Sequence, residues 1–319
     1  MMSDRIRGAL LTLLGGSCWG LCAVSAKYMV SESGVDPAWI VSLRLIISGA
    51  VLLIVDLVRR HTGDKRTALP GFTDIWKRRE TVIRLILVAV FAFAVCQTTY
   101  FMSVGYSNAG VGAAIQQTAP IFVLAYTVLI GNRKPGINEL LSLIIVMAGV
   151  FLLATHGDPG TLVIAPVAII WGLVSAVTCA CYTIMPEPLV REFGTYNAVG
   201  WGMLTAGLLL VPVCRLWIPS GTWTGGTVLA FAYIVTLGTI VAFACFLYGI
   251  TLIGSLKGSI YALIEPVVAA FMSIIILGQK YVPADYAGIM LIICGVIYLT
   301  VTGKRTEQQT PVARRTDRK

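Results

Sequence analysis

Long apolar runs separated by short polar connections dominate the chain. The runs are unbroken by charge over lengths that no one-sided soluble helix would show, and a crossing of the hydrocarbon core takes about 20 apolar residues. Dividing the runs at charges and at Gly/Pro breaks predicts helices near 8–30, 37–58, 83–104, 109–131, 139–156, 161–184, 196–217, 227–250, 258–278 and 284–302. Two of these divisions rest on tight turns, SNAG (107–110) and GSLKG (254–258). Arg5 and Arg7 before the Gly8–Val30 run resemble the start of a signal peptide. That run is longer than a signal core and further spans follow it, so the expectation is a retained first helix.

Composition agrees with the pattern. Of 319 residues, 57% are hydrophobic and 12% charged, with a mean hydropathy of +0.85, whereas soluble domains carry about 25% charged residues. A soluble globular protein is excluded, and the expected fold class is an all-α polytopic membrane protein. The net charge of +9 does not point to nucleic acid, because the cations sit in connections and tails and not on an aromatic-basic face. Short cytoplasmic loops accumulate Lys and Arg, and with the N-terminus inside, 20 of the 24 fall on inner segments. Eight of them lie between Arg59 and Arg84, while only Arg215 and Lys280 lie outside. The expectation is a multi-pass protein of the cytoplasmic (inner) membrane with both termini cytoplasmic. The basic tail, 304–319, is expected to be disordered beside anionic lipid.

The chain also repeats itself. Trp19-Gly20 recurs as Trp171-Gly172, and residues 113–135 run parallel to 259–283, with Pro120 opposite Pro266. VMAGVFLLAT (146–155) matches IICGVIYLTV (292–301), with Gly149 opposite Gly295; the prolines and these glycines are both 146 residues apart. A repeat of five helices, an odd number, inserts its second copy upside down. The expected architecture is therefore ten transmembrane helices in two inverted five-helix repeats, 1–156 and 157–303. Such folds have two near-equivalent packings, one open to each side, with the site at the repeat interface near the midplane.

The doubled pattern, over roughly residues 8–302, resembles the EamA family of the drug/metabolite transporter superfamily. Trp19-Gly20 with Lys27 eight residues after the Trp, Arg44 near the start of the second helix, Pro120 and Pro266, and Gly149-Val150 and Gly295-Val296 all match that family's features. Its usual Gly-Glu at the end of each fourth helix is absent, since Asn132 follows Gly131 and Gln279 follows Gly278. The resemblance implies a secondary transporter of small organic metabolites, often moving them outward. The aromatic content and the single acidic mid-span residue tilt the expected substrate toward an amino acid, an amine or a related zwitterion or cation. A facilitator or exchanger independent of proton and sodium gradients, or a membrane-embedded enzyme, are the alternatives.

Ionisable residues inside a span cost about 2.5–3.5 kcal/mol each on insertion scales, and Lys27, Arg44 and Glu265 stand out. Glu265 precedes Pro266 mid-helix, where proline disrupts the bond to the carbonyl four residues back, Ala262 here and Gln116 in the other copy. A carboxylate beside freed acceptors can hold a proton, a cation or a substrate amine. Glu265 is therefore expected to titrate during the cycle, with a neutral or ion-paired helix lock as the plainer reading. Lys27 can snorkel toward headgroups. Arg44 is set deeper and can hold Glu265, a substrate group or helix-end carbonyls, or act as a structural clamp. Gln97, Gln116 and Gln117 make the third and fourth helices polar, and because Gln116 and Gln117 point about 100° apart, one at most faces a given cavity. Trp19, Tyr100, Tyr126, Trp171, Tyr182, Trp201, Tyr248 and Tyr261 are candidates for an aromatic pocket. Pro120 and Pro266 are the helix-break or gating candidates, and Trp39, Trp76, Trp217 and Trp223 are expected interfacial anchors. Gly15, Gly16 and Gly20 offer a smooth packing face.

No GxxxxGK[ST] occurs, His61 and His156 lie far apart, and the eight cysteines sit in or beside apolar runs without ligand spacing. No cofactor, metal or catalytic residue is expected, and the expected partners are a small-molecule substrate, membrane lipid and protons.

Overall fold

The computed structural model describes residues 4–61, 70–130, 136–158, 164–253 and 261–309. The described residues are almost wholly helical. Helix α1 is Asp4–Lys27, prolonged by a π-helical turn, Tyr28–Glu32; α2 is Pro37–His61 and α3 is Arg79–Tyr106. Helix α4 comes in two pieces, Ala109–Gln116 and Ala119–Ile130, and α5 is Ile137–Thr155. Helix α6 is Pro166–Ile184, followed by the short Glu187–Phe193; α7 is Thr195–Cys214 and α8 is Gly225–Ile253. Helices α9 (Ile264–Leu277) and α10 (Pro283–Gln309) complete the set. Seven segments are long and apolar enough to cross a membrane, and Leu140–Leu153, Ile264–Leu277 and Pro283–Tyr298 are shorter apolar helices. The GSLKG turn, Asn132 and the tail from 310 onward lie outside the described residues.

Local chemistry explains most boundaries. Asn108 caps α4, its side-chain oxygen accepting from the Val111 amide at 2.8 Å. Thr224 and Thr227 form a reciprocal capping box at the start of α8. Proline opens α2, α6 and α10, where its missing N–H is one of the unpaired donors of a first turn. Gly278, at φ +61°, closes α9 in the left-handed conformation.

The helix pairings carry a symmetry of their own. Helix α2 packs on α7, α4 on α9 and α5 on α10. The pair α1·α8 is matched by α6·α3, and α1·α9 by α6·α4. Exchanging α1–α5 for α6–α10 therefore carries each pairing onto itself or onto another. The irregularities follow suit, for π-helical turns interrupt α3 at Val88–Val95 and α8 at Thr236–Val241. The repeated glycines explain themselves in this frame. Gly149 faces the backbone of Gly288 on α10, and Gly295 faces Val146 on α5, so the matched glycines line the two sides of one helix crossing.

Candidate functional site

The expected proline breaks are present but fall before the prolines. The first half of α4 ends at Gln116, residues 117 and 118 form a turn, and Ala119-Pro120 starts the second half. In the second copy the turn is at Leu263, so Glu265 and Pro266 occupy the first turn of α9. Proline is tolerated there, and a carboxylate is favoured by the amides and dipole of a helix start.

The two turns meet. Glu265 is 6% exposed, and its Oε1 accepts from the Tyr100 hydroxyl at 3.0 Å while its Oε2 accepts from Gln117 Nε2 at 3.0 Å. Gln117 is a residue of the α4 turn, so each interruption contributes one partner to this contact. Helix α1 closes over it through Gly20, where an added Cβ would lie 2.6 Å from the Glu265 carbonyl oxygen. Gly172, its partner in the repeat, faces Ile115 of α4. The Trp-Gly motif thus marks the place where each half's first helix crosses the broken helix of the other half.

Arg44 of α2 is held by Gln97, three residues before Tyr100 on the same face of α3. It is 3% exposed; Nη2 donates to Gln97 Oε1 at 3.2 Å, Nη1 approaches Cys22 Sγ at 3.9 Å, and the guanidinium carbon stands 5.3 Å from the Phe101 ring centre. Its Nε has no partner, nor does the buried Ser48 hydroxyl one turn further along α2. Gln97 and Tyr100, three residues apart and on one face of α3, thereby hold the cation and the carboxylate in adjacent positions through neutral groups. Arg44 and Glu265 sense each other electrostatically but form no ion pair. Chemically, this is a buried contact with an acidic group at one end and a basic group at the other.

Several expected residues are elsewhere. Gln116 does not reach Glu265; it donates to Ser175 Oγ of α6 at 2.7 Å, because one residue of helix turns it about 100° away from Gln117. Lys27 is not snorkelling. Its Nζ donates to the carbonyls of Gly105 at 2.7 Å and Ser107 at 2.6 Å, neutralising the C-terminal end of α3. Tyr248 is 47% exposed and faces Arg7, while Trp171 and Tyr261 are half-buried. Trp19 packs on Phe243 and Phe246, and Tyr182 on Phe93 and Phe243, so these rings are helix packing beside the site. Trp39, expected at an interface, is 8% exposed and stacks on Trp223. Trp201 leaves the pocket for Phe72 and Trp76, to which it is drawn by a bond from its indole to the Phe72 carbonyl at 3.2 Å. Tyr126 is exposed.

Two buried carboxylates escaped the sequence reading. Asp56 of α2 accepts from Arg60 at 2.7 Å and from Asn197 of α7 at 3.0 Å, and the Asp56–Arg60 spacing of one helical turn was the available signal. Asp285, at the start of α10, pairs with His156. At the same end of the molecule Tyr281, whose hydroxyl burial pushes up to about 12, remains a donor and bonds Asn108 Oδ1 at 2.8 Å, tying α9 to the start of α4.

The helix set and the buried site define a polytopic helical membrane protein with a charged crossing of broken helices at its centre. The model of the EamA-like transporter family matches residues 6–155 and again 166–301, and the chain belongs to that family. It is 32% identical over 307 residues to the uncharacterized inner membrane transporter YicL of Salmonella typhimurium (strain LT2), with 95% of this chain and 98% of that protein covered. It is 21% identical to the uncharacterized transporter YcbK of Bacillus subtilis (strain 168), covering 94% and 93%. Identity is 24% with the uncharacterized inner membrane transporter YedA of Escherichia coli (strain K12), covering 96% and 93%. A solved structure described only as a crystal structure of protein shares the fold, with a TM-score of 0.61 at 17% identity over 93% of this chain and 98% of that one. Family membership places the chain among transporters.

Proposed function

We propose that the chain is a secondary transporter of the inner membrane, with ten spans in two inverted five-helix halves and both termini in the cytoplasm. It moves a small organic metabolite that carries an amine, an amino acid or a related zwitterion or cation, by alternating access, and the family resemblance favours export. The observation that carries this reading is the Glu265 carboxylate, buried at the crossing of α4 and α9 and bonded from α3 and α4 of the opposite half. A solute amine at Glu265 competes with the Tyr100 and Gln117 donors. Releasing those bonds loosens the contact between halves, which couples occupancy to the packing exchange. The helix pairings map onto one another when α1–α5 and α6–α10 are exchanged, which supports a second packing with the roles of the halves reversed.

Proteoliposomes loaded with amine-bearing metabolites test this. Wild-type vesicles are expected to show counterflow that varies with pH, and Glu265→Gln to transport without that variation. Counterflow by Glu265→Gln with the wild-type pH profile removes Glu265 from the mechanism. Reporter tags on both chain ends are expected on the cytoplasmic side, and tags on opposite sides sink the ten-span arrangement.

A further inference from the structure

We propose that Arg44 receives a carboxylate of the substrate, so that the site is built for a zwitterion of the α-amino-acid kind and not for a simple amine. The inference rests on the reading of Glu265 as the amine end.

A guanidinium has five N–H donors in a planar fork matched to a carboxylate. At Arg44 this fork is 3% exposed and largely unspent: one bond of 3.2 Å to a neutral amide, a thiol at 3.9 Å, a ring face, and an Nε with nothing. A structural clamp would look different. The oxygens of Glu265 accept from Tyr100 and Gln117 and not from Arg44, and no carboxylate lies within ion-pair reach of Arg44 among the described residues. Ser48 adds a second unpartnered buried polar group one turn along the same face of α2. Unpaired buried donors in a native core call for an explanation, and an anion delivered from outside supplies one.

The arrangement fits a small zwitterion. Gln97 holds Arg44 and Tyr100 holds Glu265, three residues apart on α3 and so on one face of it. Neutral side chains therefore hold the two charges side by side without an ion pair between them. The two charges also come from different halves, Arg44 on α2 and Glu265 on α9, so a solute that engages both draws on both halves at once.

The test is a thermal-shift titration of the purified full-length protein in lipid nanodiscs against the common α-amino acids. Each is paired with its decarboxylated amine and its N-acetyl derivative. An amino acid is expected to raise the midpoint with its decarboxylated amine about 10-fold or more weaker, since a site built to bond a group rejects the analogue lacking it. Arg44→Gln is expected to bind acid and amine alike, and Arg44→Lys, which keeps the charge but not the fork, to retain part of the preference. Equal response of the wild type to acid and amine overturns the assignment of Arg44, as does a preference that survives in Arg44→Gln or a wild type that responds to no member of the panel. Because the panel is run on the wild type, a variant that fails to fold leaves the proposal exposed to refutation. An amine response without acid preference defeats Arg44 alone and leaves Glu265 standing; counterflow by Glu265→Gln that keeps the wild-type pH profile defeats the reading beneath it.

Discussion

The two halves share a backbone but not their charges. Glu265 and Ala119 are equivalent, each preceding the proline that restarts a broken helix, yet one is a buried carboxylate and the other a buried methyl. Arg44 has a similar blank opposite it. The contact of Gly49 with Gly200 and that of Ser42 with Gly207 are one α2·α7 contact seen from either half, and that register sets Gly202 against Arg44. Gly202 lies under the ring of Phe93, which fills the volume a side chain would need. Duplication supplies a frame with two ways to pack, and the loss of symmetry in two side chains leaves a single polar site within it.

The sharpest way to break this comparison is to move the carboxylate. Glu265→Ala strands the buried Tyr100 hydroxyl, worth about 1–3 kcal/mol when left unpaired, and the half-buried Gln117 amide, and transport is expected to fall about 10²-fold or more. Adding Ala119→Glu restores the charge count but places it on α4 and not on α9. The double variant is expected to stay as inactive as the single one in vesicle counterflow. Recovery to near wild-type rates would mean that the halves are interchangeable at this level and that the asymmetry is incidental.

The Trp-Gly glycines allow a finer comparison. At Gly20 an added Cβ meets the Glu265 carbonyl oxygen at 2.6 Å, Val268 Cβ at 2.9 Å and the Ala269 amide nitrogen at 3.0 Å, atoms fixed to the α9 backbone that move only with it. At Gly172 it meets the Ile115 Cγ2 at 2.7 Å and the Ser103 hydroxyl at 2.9 Å, which are side-chain atoms. Overpacking of this kind costs about 1–3 kcal/mol, and Gly20→Ala is expected near the top of that range with Gly172→Ala near the bottom. Thermal midpoints of the two purified variants decide it. Equal losses would show that the first helix grips both broken helices alike.

Much of the frame was legible before the fold was seen. Apolar run lengths located most helix ends within a few residues, although α10 continues to Gln309, into the tail expected to be disordered from 304, and the 146-residue shift paired the prolines and the glycines, the glycines turning out to share a crossing. Glu265 stood out because charge is rare in apolar runs. What stayed hidden depends on phase. The turn at 117 and 118 resets the rotation of α4, which is why Gln117 and not Gln116 reaches Glu265. The π-helical turns in α3 and α8 widen the helix locally and shift the face that Gln97 and Tyr100 present. The distant partners of Lys27 and Asp56 were opaque for another reason. Gly105, Ser107 and Asn197 are 78, 80 and 141 residues away, and no local pattern announces a contact of that range.

The smallest difference between the halves is found in the loops that follow their second helices. After α2, Phe72 and Trp76 stack on Trp201 at the start of α7; after α7, Trp223 stacks on Trp39 at the start of α2. The first loop adds ions that the second lacks: the Asp56–Arg60 pair, with Arg60 also donating to the Pro70 carbonyl at 2.6 Å, and Asp74, which accepts from the Gly71 amide and from Lys77, both at 2.7 Å. The bonds from Lys77 and Gly71 hold the Asp74 carboxyl below its ordinary value of 3.8. A carboxyl depressed on folding contributes stability above its unfolded value and loses it as pH falls through the lower folded one. The first loop is thus expected to loosen only in acid, while the second is indifferent over the same range. In glycine-labelled protein the Gly71 amide resonance should titrate with a midpoint below 3.8, and Lys77→Met should move that midpoint upward. A Gly221 amide in the second loop that titrated in parallel would show the two loops responding together, and the ionic difference between them would have no local effect.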